Sequence, residues 1–345
     1  MTTLETHPPT TPAKAMTTSI ADTAPDVADA LRADALTKTF DGGVTALDGV
    51  TLTARPGRVV GLLGHNGAGK TTLVRLIAGL LSPTSGTVSV LGLDPIREGV
   101  EVRRRIGVLP SSQLLDERLT GRENMRFAGR LFGVPPEELD ERADALLEEF
   151  GMLDRADDKV GAYSAGMRQR TALARVLLSR PRVLLLDEPS TALDPVAIRE
   201  LHGLIRRKSR EEGITVVLAT HDLAEAADLC DDVLILSKGA VIAAGSPQEL
   251  AARVDAPIAV ELECDPEDAG AALAVTAALA PAETLREGVF RLEGVARSAV
   301  PGLVHDLALA GVRLYAFRSA QATLEDLYLR LHEKTTSDDT NEDRS

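Results

Sequence analysis

The sequence predicts an α/β fold built around a parallel sheet, and two patterns in the chain predict it. Apolar strands such as Val59–Leu63, Arg182–Leu186 and Ile214–Ala219 alternate with stretches of helical periodicity, as in sheets whose parallel strands are joined by right-handed crossovers. Each of these strands is followed directly by glycine or polar side chains. Because ligands in such folds lie at the carboxyl ends of the strands, we expect these side chains to form one site.

Length and composition restrict the class of protein. The chain has 345 residues, of which 44% are hydrophobic, and it carries a formal net charge of −14. That length suits two domains. The acidic balance argues against nucleic acid as the main partner, because neutralising phosphates requires a basic surface. Cys230 and Cys264 have no metal-like spacing and are expected to be packing residues.

The sequence has no candidate membrane span or export signal. No apolar run approaches the roughly 18–20 residues that cross a bilayer, and the N-terminus lacks a basic stretch followed by an apolar core. We therefore expect a cytosolic protein, held at the cytoplasmic face of the cell membrane only through another chain that crosses it.

Composition and pattern divide the chain into four parts. Residues 1–30 are rich in Thr, Pro, Ala and Asp and are predicted to be a disordered tail. Residues 31–254 are predicted to form the first domain, with a helical subdomain at about 114–180, and residues 255–333 a smaller second domain. The polar, acidic residues 334–345 are predicted to be a second disordered tail.

The first domain is predicted to combine its parallel sheet with an antiparallel flap and a group of helices. Leu36–Phe40 and Val50–Ala54 are predicted strands, joined by a turn at Asp41–Gly43. Helical periodicity over Arg122–Phe132 and Pro136–Phe150 predicts helices inserted between the two halves of the sheet.

The second domain follows the order βαββαβ, which is typical of a ferredoxin-like α+β fold. Its predicted elements are, in order, Ile258–Cys264, Pro266–Leu279, Thr284–Arg286, Val289–Leu292, Ser298–Ala310 and Val312–Phe317. A last helix, Thr323–His332, is predicted to end this domain.

A glycine-rich loop connects the strand Val59–Leu63 to a helix predicted over Thr72–Leu81. It matches G-x-x-x-x-G-K-[ST], the phosphate-binding P-loop. Glycines let successive N–H groups surround an anion, and the helix N-terminus adds partial positive charge. Lys70 can reach the β- and γ-phosphates, and the Thr71 hydroxyl can hold Mg²⁺. The predicted phosphate-binding residues are Gly64, His65, Asn66, Gly67, Ala68, Gly69, Lys70, Thr71 and Thr72.

Two acids follow the apolar strand that ends at Leu186, forming a Walker B motif. Asp187 is expected to position Mg²⁺ from the side opposite Thr71, and Glu188 to polarise the water that attacks the γ-phosphate. A carboxylate at this place can accept a hydrogen bond from that water, and phosphoryl transfer depends mainly on positioning and electrostatics.

A second candidate anion site lies far from the P-loop in sequence. A hydroxyl residue and a glycine precede the predicted helix Arg168–Leu178, and a helix N-terminus of this kind binds anions; the plainer alternative is an ordinary helix cap. The segment consists of Tyr163, Ser164, Ala165, Gly166 and Met167.

Three single residues complete the candidate site. Asp194 ends the Thr-Ala-Leu-Asp segment that follows the two acids, and His221 ends a strand beside the other phosphate-facing strand ends. His221 is expected to contact the γ-phosphate or the attacking water. Phe40, in a chain with only 3% aromatic residues, either stacks on an adenine ring or packs in a core.

The order of these motifs resembles the ATPase subunits of ATP-binding cassette (ABC) transporters over about Leu36–Leu250. The resemblance implies that two copies pair head to tail, with each ATP held between the P-loop of one copy and Ser164 and Gly166 of the other. It also implies these roles: phosphate binding by Lys70, Mg²⁺ binding by Thr71 and Asp187, catalytic base for Glu188, switch for His221, adenine platform for Phe40 and signalling across the dimer for Asp194.

Two departures from the family pattern bear on function. The signature is Tyr-Ser-Ala-Gly-Met rather than Leu-Ser-Gly-Gly-Gln, a variant similar to that of drug exporters of the daunorubicin-resistance type, which the Leu119–Asn124 and Ala322–Tyr328 segments also resemble. Ser111 stands where the family has a glutamine near Mg²⁺. A serine is too short for that contact without a water, so either Gln113 substitutes or the coupling differs.

The leading interpretation is an ATPase that drives export of a drug, lipid or other hydrophobic compound through a separate membrane permease. A first alternative is an importer ATPase of the amino-acid type whose second domain binds its substrate. A second alternative is a soluble ABC ATPase without a transport role, although such proteins usually carry two cassettes or a long coiled coil.

Overall fold

A computed structural model describes residues 29–111, 115–253, 258–319 and 323–331. The predicted tails, apart from Asp29 and Ala30, and the candidate residue Gln113 lie outside the described residues. Among the described helices, none is both long and apolar enough to cross a bilayer.

Three sheets organise the described residues. Six strands form the main sheet in the order β5-β6-β7-β3-β8-β9, three form a flap in the order β2-β1-β4, and four form a separate antiparallel sheet. The strands are β1 (Leu31–Thr39), β2 (Thr45–Ala54), β3 (Val59–Leu63), β4 (Ser85–Val90), β5 (Ile106–Leu109), β6 (Val183–Asp187), β7 (Thr215–Thr220), β8 (Asp232–Ser237), β9 (Ala240–Gly245), β10 (Ile258–Cys264), β11 (Ala282–Arg286), β12 (Val289–Val295) and β13 (Leu314–Ser319).

Helices cover both faces of the main sheet. The helices are α1 (Lys70–Ile77), α2 (Gly99–Arg103), α3 (Gly121–Leu131), α4 (Pro136–Glu149), α5 (Ala165–Leu177), α6 (Pro195–Arg210), α7 (Leu223–Leu229), α8 (Pro247–Ala252), α9 (Ala269–Thr276), α10 (Val300–Leu309) and α11 (residues 324–331). Of these, α3, α4 and α5 form an insertion between the strands β5 and β6 of the main sheet.

The centre of the main sheet is parallel, as predicted. Strand β3 pairs with β7 and β8, and β6 pairs with β5 and β7, all in parallel. Every residue of β3, β6 and β7 is buried, because helices cover both faces of the sheet and leave no solvated side. This explains why these strands are continuous apolar runs rather than alternating ones.

Strand β9 was not among the predicted elements. It pairs antiparallel with β8 across a tight turn in which Lys238 and Gly239 both have positive φ, 48° and 83°. Such a turn matches the twist of a two-stranded hairpin, but the Lys-Gly pair is a weaker signal than Asn-Gly. The sequence of β9 is Ala-Val-Ile-Ala-Ala-Gly, which does not alternate and is rich in alanine, a residue depleted in strands.

The flap begins earlier than predicted. Strand β1 pairs antiparallel with β2 and β4 from Leu31 onward, and its register shifts between Ala33 and Leu36. Ala35, in that shift, has a φ of 45°. This bulge interrupts the alternation of inward and outward side chains. A search for a period of two therefore does not detect the first half of the strand.

The helical insertion forms as predicted, with helix ends within a few residues of those expected. Thr120 caps α3 in a capping box with Glu123, and Pro136 opens α4. The two helices cross closely at Gly129, where an added Cβ would overlap the Leu139 side chain. Both helices and α5 bury leucines, alanines and Met125 in the largest hydrophobic cluster of the described residues.

Residues 258–319, here called the accessory unit, have the predicted ferredoxin-like order. The sheet order is β11-β12-β10-β13, with every pairing antiparallel. Alternate residues of β10 are buried and pack with Leu303 and Leu307 of α10 in a separate cluster.

The last helix differs from the prediction in its packing partner. It was expected to belong to the second domain. Instead Leu324 and Leu327 are buried in the cluster formed by the first unit, residues 29–253, and neither belongs to the cluster of the accessory unit. The chain therefore returns to the first unit after the accessory sheet is complete.

Candidate nucleotide-binding site

The P-loop connects β3 to α1 and packs against neighbouring backbone. Gly67 and Gly69 have φ values of 86° and 107°, which glycine adopts at little cost. A Cβ on Gly64 would lie 2.5 Å from the Leu236 carbonyl oxygen, and one on Gly69 would lie 2.7 Å from the Ala46 oxygen. Helix α1 begins at Lys70 rather than at the predicted Thr72, so its first-turn N–H groups belong to the loop and can face an anion.

Lys70 is buried at the centre of the loop, with 5% of its side chain exposed. Its ammonium donates to the carbonyl oxygens of Gly64 at 2.6 Å and His65 at 3.3 Å. It also lies 3.6 Å from the carboxylate of Glu188. A buried cation needs such partners, and two of them, His65 and Glu188, also line the cavity over the loop.

Thr71 and Asp187 lie close together at the carboxyl ends of two strands. Thr71 is in α1, which follows β3, and Asp187 is the last residue of β6. The Thr71 hydroxyl donates to Oδ2 of Asp187 at 3.1 Å. Burial raises the pKa of the Asp187 carboxyl, and the hydrogen bond from Thr71 opposes that rise. The strands place them together because Leu63 pairs with Thr220 on β7, and Asp187 pairs with Ala219 next to it.

The oxygen atoms of this pair suit Mg²⁺. Among the described residues, no three His, Cys, Asp or Glu side chains cluster as a metal site. Mg²⁺ in nucleotide sites is usually held by one or two protein oxygens together with phosphates and waters. A hydroxyl and a carboxylate 3.1 Å apart fit a metal that arrives with the nucleotide.

Glu188 contacts two of the other predicted residues, Lys70 and His221. Its carboxylate lies 2.5 Å from Nδ1 of His221 and 3.6 Å from Nζ of Lys70, and it accepts from the Thr191 hydroxyl at 3.2 Å. The residue has a φ of 55°, a strained conformation for a side chain other than glycine and one that is common at functional sites. The geometry thus places the Glu188 carboxylate beside Lys70 and His221, just after the carboxyl end of β6.

A cavity of about 150 Å³ lies over the P-loop. It is lined by Ala46, His65, Asn66, Gly67, Gly69, Lys70, Thr71, Thr72 and Glu188. Sequence reasoning missed Ala46, since an alanine in a strand carries no chemical signal. Phe40 is not among these residues; it follows β1, is 39% exposed, and has the ammonium of Lys38 5.3 Å from its ring centroid.

The signature segment lies at the start of α5, and none of its residues lines that cavity. Ser164 is exposed and caps the helix by accepting from the Met167 N–H at 3.2 Å. Tyr163 is buried and donates its hydroxyl to the Arg155 carbonyl at 2.6 Å, which anchors the turn. Of the predicted residues in the segment, Ser164 is therefore the exposed one beside the helix N-terminus.

Asp194 lies next to the signature in the same chain. Its carboxylate caps α6 by accepting from the N–H groups of Val196 and Ala197, both at 2.9 Å. A Cβ on Gly166 would lie 3.1 Å from Cβ of Ala197. The first turn of α6, which Asp194 caps, therefore contacts the signature. Ser111 is exposed after β5, and its role stays a prediction.

A buried polar network, unpredicted from the sequence, joins the loop after Glu188 to two helices. The Ser190 hydroxyl donates to Glu225, and Nε2 of His202 lies 3.2 Å from the same carboxylate. Nδ1 of His202 lies 3.0 Å from Asp228. A lone histidine in a helix and an acid in a first turn give no sequence signal that they pair across two helices.

This network predicts a pH-dependent stability. Burial alone would lower the pKa of His202, but its hydrogen bonds to the Glu225 and Asp228 carboxylates outweigh burial and raise it. The stabilisation is complete below the unfolded pKa of about 6.5 and is lost as pH rises through the higher native pKa. As the pH rises above about 6.5 we expect a fall in melting temperature that His202→Gln reduces. Calorimetry measures the melting temperature of both proteins. An equal fall in the wild type and in His202→Gln would show that His202 does not cause the pH dependence.

Comparison with known proteins assigns the family. A family model described as ABC transporter matches residues 47–191. The chain is 38% identical over 291 residues to the daunorubicin resistance ATP-binding protein DrrA3 of Streptomyces coeruleorubidus, covering 84% of this chain and 92% of the relative. It is 38% identical over 224 residues to the methionine import ATP-binding protein MetN of Corynebacterium diphtheriae, covering 63% of this chain and 66% of that one.

The fold has matching solved structures. One is a dimeric ATP-binding cassette in a post-hydrolysis state bound to ADP and Pi, with a TM-score of 0.57 and 29% identity. The match covers 63% of this chain and 98% of that chain. Together with the P-loop, the Walker B acids and the signature, these matches show that the chain is an ATP-binding, ATP-hydrolysing subunit of the ABC transporter family, of the daunorubicin-resistance type.

Proposed function

We propose that this subunit hydrolyses ATP in a head-to-tail dimer and thereby drives export through a separate membrane permease. The dimer is proposed because two candidate anion-binding groups, the P-loop and the signature, are separated within one chain. The P-loop cavity is lined by Lys70 and Glu188, while the exposed Ser164 lies outside it. A second copy can supply Ser164 and Gly166 to the γ-phosphate, so the site is complete only in the pair.

Within each site, we propose a role for each residue that its described contacts support. Lys70 exchanges the Gly64 and His65 carbonyls for phosphate oxygens, and Thr71 and Asp187 would hold Mg²⁺, which neutralises charge on the phosphates when bound. Glu188 accepts a hydrogen bond from the attacking water and orients it toward the γ-phosphate. His221, next to Glu188, holds that carboxylate in position relative to the γ-phosphate. Phe40 provides the face on which adenine stacks.

An apolar groove supports a membrane partner. A cavity of about 840 Å³ lies between the main sheet and the helical insertion, lined in part by Leu80, Val100, Leu131 and Phe132. Leu131 is 69% exposed and Val100 59%. Arg103, Arg104 and Arg175 also line the groove. Apolar side chains exposed together are typical of an interaction site, and we propose that a short helix of the permease occupies the groove.

Leu131→Glu tests this interface. The side chain is largely exposed, so the fold should tolerate the change, but a charge in the groove would be desolvated on binding. After solubilisation of membranes from its own host, we expect at least about tenfold less membrane protein to copurify with the variant than with the wild type. ATP affinity should be unchanged.

A matched control is Leu309→Glu, because Leu309 is 74% exposed on α10 of the accessory unit. It should copurify the membrane protein as the wild type does. Equal recovery with Leu131→Glu and Leu309→Glu would contradict the groove assignment.

Export is the direction we propose, because one daunorubicin resistance protein matches over most of this chain. The match to the resistance protein extends over 291 residues, whereas that to the importer stops at 224, so the importer alternative rests on a shorter shared region. In inside-out vesicles containing the copurified complex, ATP should drive accumulation of daunorubicin, chosen as a probe. Binding of methionine to the full chain, without vesicle uptake, would favour the importer alternative.

The soluble ATPase without a transport role remains the second candidate. It predicts that no integral membrane protein copurifies and that ribosomal or DNA-repair proteins do. Recovery of such proteins alone would overturn the transport proposal.

A further inference from the structure

A buried carboxylate, that of Glu225, holds the loop that follows the two Walker B acids. The Glu225 side chain is 3% exposed and lies in the first turn of α7. It accepts a hydrogen bond from the hydroxyl of Ser190, two residues after Glu188. Nε2 of His202, on α6, lies 3.2 Å from the same carboxylate oxygen. A buried carboxylate needs such partners, so the oxygen that holds the loop is itself held by His202.

The helix that carries Glu225 begins directly after His221. Asp222 caps α7 by accepting from the N–H groups of its first turn, that of Glu225 among them at 3.0 Å. The backbone of Glu225 is thus fixed close to His221, while its side chain is fixed to Ser190. Glu225 therefore joins two loops whose functional groups meet, because Nδ1 of His221 lies 2.5 Å from the Glu188 carboxylate.

The backbone of Glu188 needs contacts that hold it in place. Its φ of 55° is costly for a residue with a side chain and persists only where the surroundings fix it. The Glu188 N–H donates to the Ala219 carbonyl at 2.8 Å, and the Thr191 hydroxyl donates to the Glu188 carboxylate at 3.2 Å. Ser190 lies between Glu188 and Thr191, so its hydrogen bond to Glu225 fixes the chain from which both side chains project.

We propose that Ser190 and Glu225 are positioning residues for ATP hydrolysis: their hydrogen bond holds the Glu188 carboxylate where it orients the attacking water. This inference rests on the catalytic role proposed above for Glu188. The cavity over the P-loop is lined by other residues, so the contribution of this pair should appear in turnover and not in ATP binding.

Ser190→Ala tests the proposal, because it removes only the hydroxyl and leaves Glu225 in contact with His202. We expect kcat to fall by about threefold to tenfold, the range for one lost hydrogen bond. KM for ATP should change by less than about twofold. Ser190→Thr keeps a hydroxyl at this position and should restore kcat to within about twofold of the wild type.

The matched control is Ser209→Ala, which also removes one hydroxyl. Ser209 is buried in α6, and its hydroxyl donates to the Gly57 carbonyl at 2.8 Å. Gly57 precedes β3, whereas the P-loop follows the carboxyl end of that strand. The control should lower the melting temperature and leave kcat unchanged. An equal fall of kcat in the two alanine variants, or no fall in Ser190→Ala, would overturn the proposal.

A double variant separates this inference from the catalytic role of Glu188. If the Ser190 hydroxyl acts through the Glu188 carboxylate, adding Ser190→Ala to Glu188→Gln should not slow the residual single-turnover hydrolysis further. A further loss of about threefold to tenfold would show that Ser190 acts elsewhere, and would overturn this inference alone. Turnover of Glu188→Gln close to the wild-type value would overturn the catalytic proposal and this inference with it.

Discussion

Glu188→Gln should bind ATP with nearly wild-type affinity and hydrolyse it at least about 100-fold more slowly. The carboxylate lies at the carboxyl end of β6, within 3.6 Å of Lys70 and 2.5 Å of His221. The amide keeps the size and the hydrogen-bonding reach of the side chain but loses the charge and the basicity needed to orient water. Steady-state phosphate release and equilibrium ATP binding, measured on the same preparation, separate these two effects.

A variant of a second glutamate controls for a general effect of losing one negative charge. Glu211 is exposed at the end of α6, and Glu211→Gln should leave both measurements unchanged. Turnover of Glu188→Gln close to the wild-type value would exclude Glu188 as the catalytic base and would leave His221 as the next residue to test.

Lys70→Ala should weaken ATP binding by about 10- to 100-fold, the range expected for one hydrogen bond to a charged group in a buried site. Lys70 is 5% exposed, and its ammonium is the cation closest to Glu188 in the loop. The alanine also leaves the Gly64 and His65 carbonyls without this donor. Titration with ATP, followed by calorimetry, measures the affinity.

The control for lost lysine charge is Lys159→Ala, at an exposed position before α5. Its ATP affinity should match the wild type. Wild-type affinity in Lys70→Ala, with the fold intact by circular dichroism, would mean that the loop amides alone hold the phosphates and that Lys70 has no essential role in binding.

Much of the catalytic arrangement could be predicted because its chemistry is local. Val59–Leu63 is a strand to the residue, and the P-loop between strand and helix needs only glycines, a lysine and a threonine in sequence. The strand ends bring Thr71, Asp187 and His221 together through the parallel register, which follows from the alternation of strands and helices.

Other features depend on contacts that no local pattern contains. The bulge at Ala35 breaks a strand's alternation, and the β8–β9 turn uses Lys238 where asparagine is the usual signal. The pairing of His202 with Glu225 joins two helices. The terminal helix was assigned to the wrong packing partner, since the spacing of its apolar residues shows that a face is buried but not against which unit.

We propose that each ATP site closes only when a second copy contributes Ser164 and Gly166. Light scattering of Glu188→Gln, which retains ATP, measures this directly: ATP should double the molar mass and ADP should not. In the double variant Ser164→Arg, Glu188→Gln, the bulky side chain should block closure and keep the chain monomeric with ATP bound. A monomer in saturating ATP for Glu188→Gln, or a dimer that forms unchanged in the double variant, would contradict the composite site.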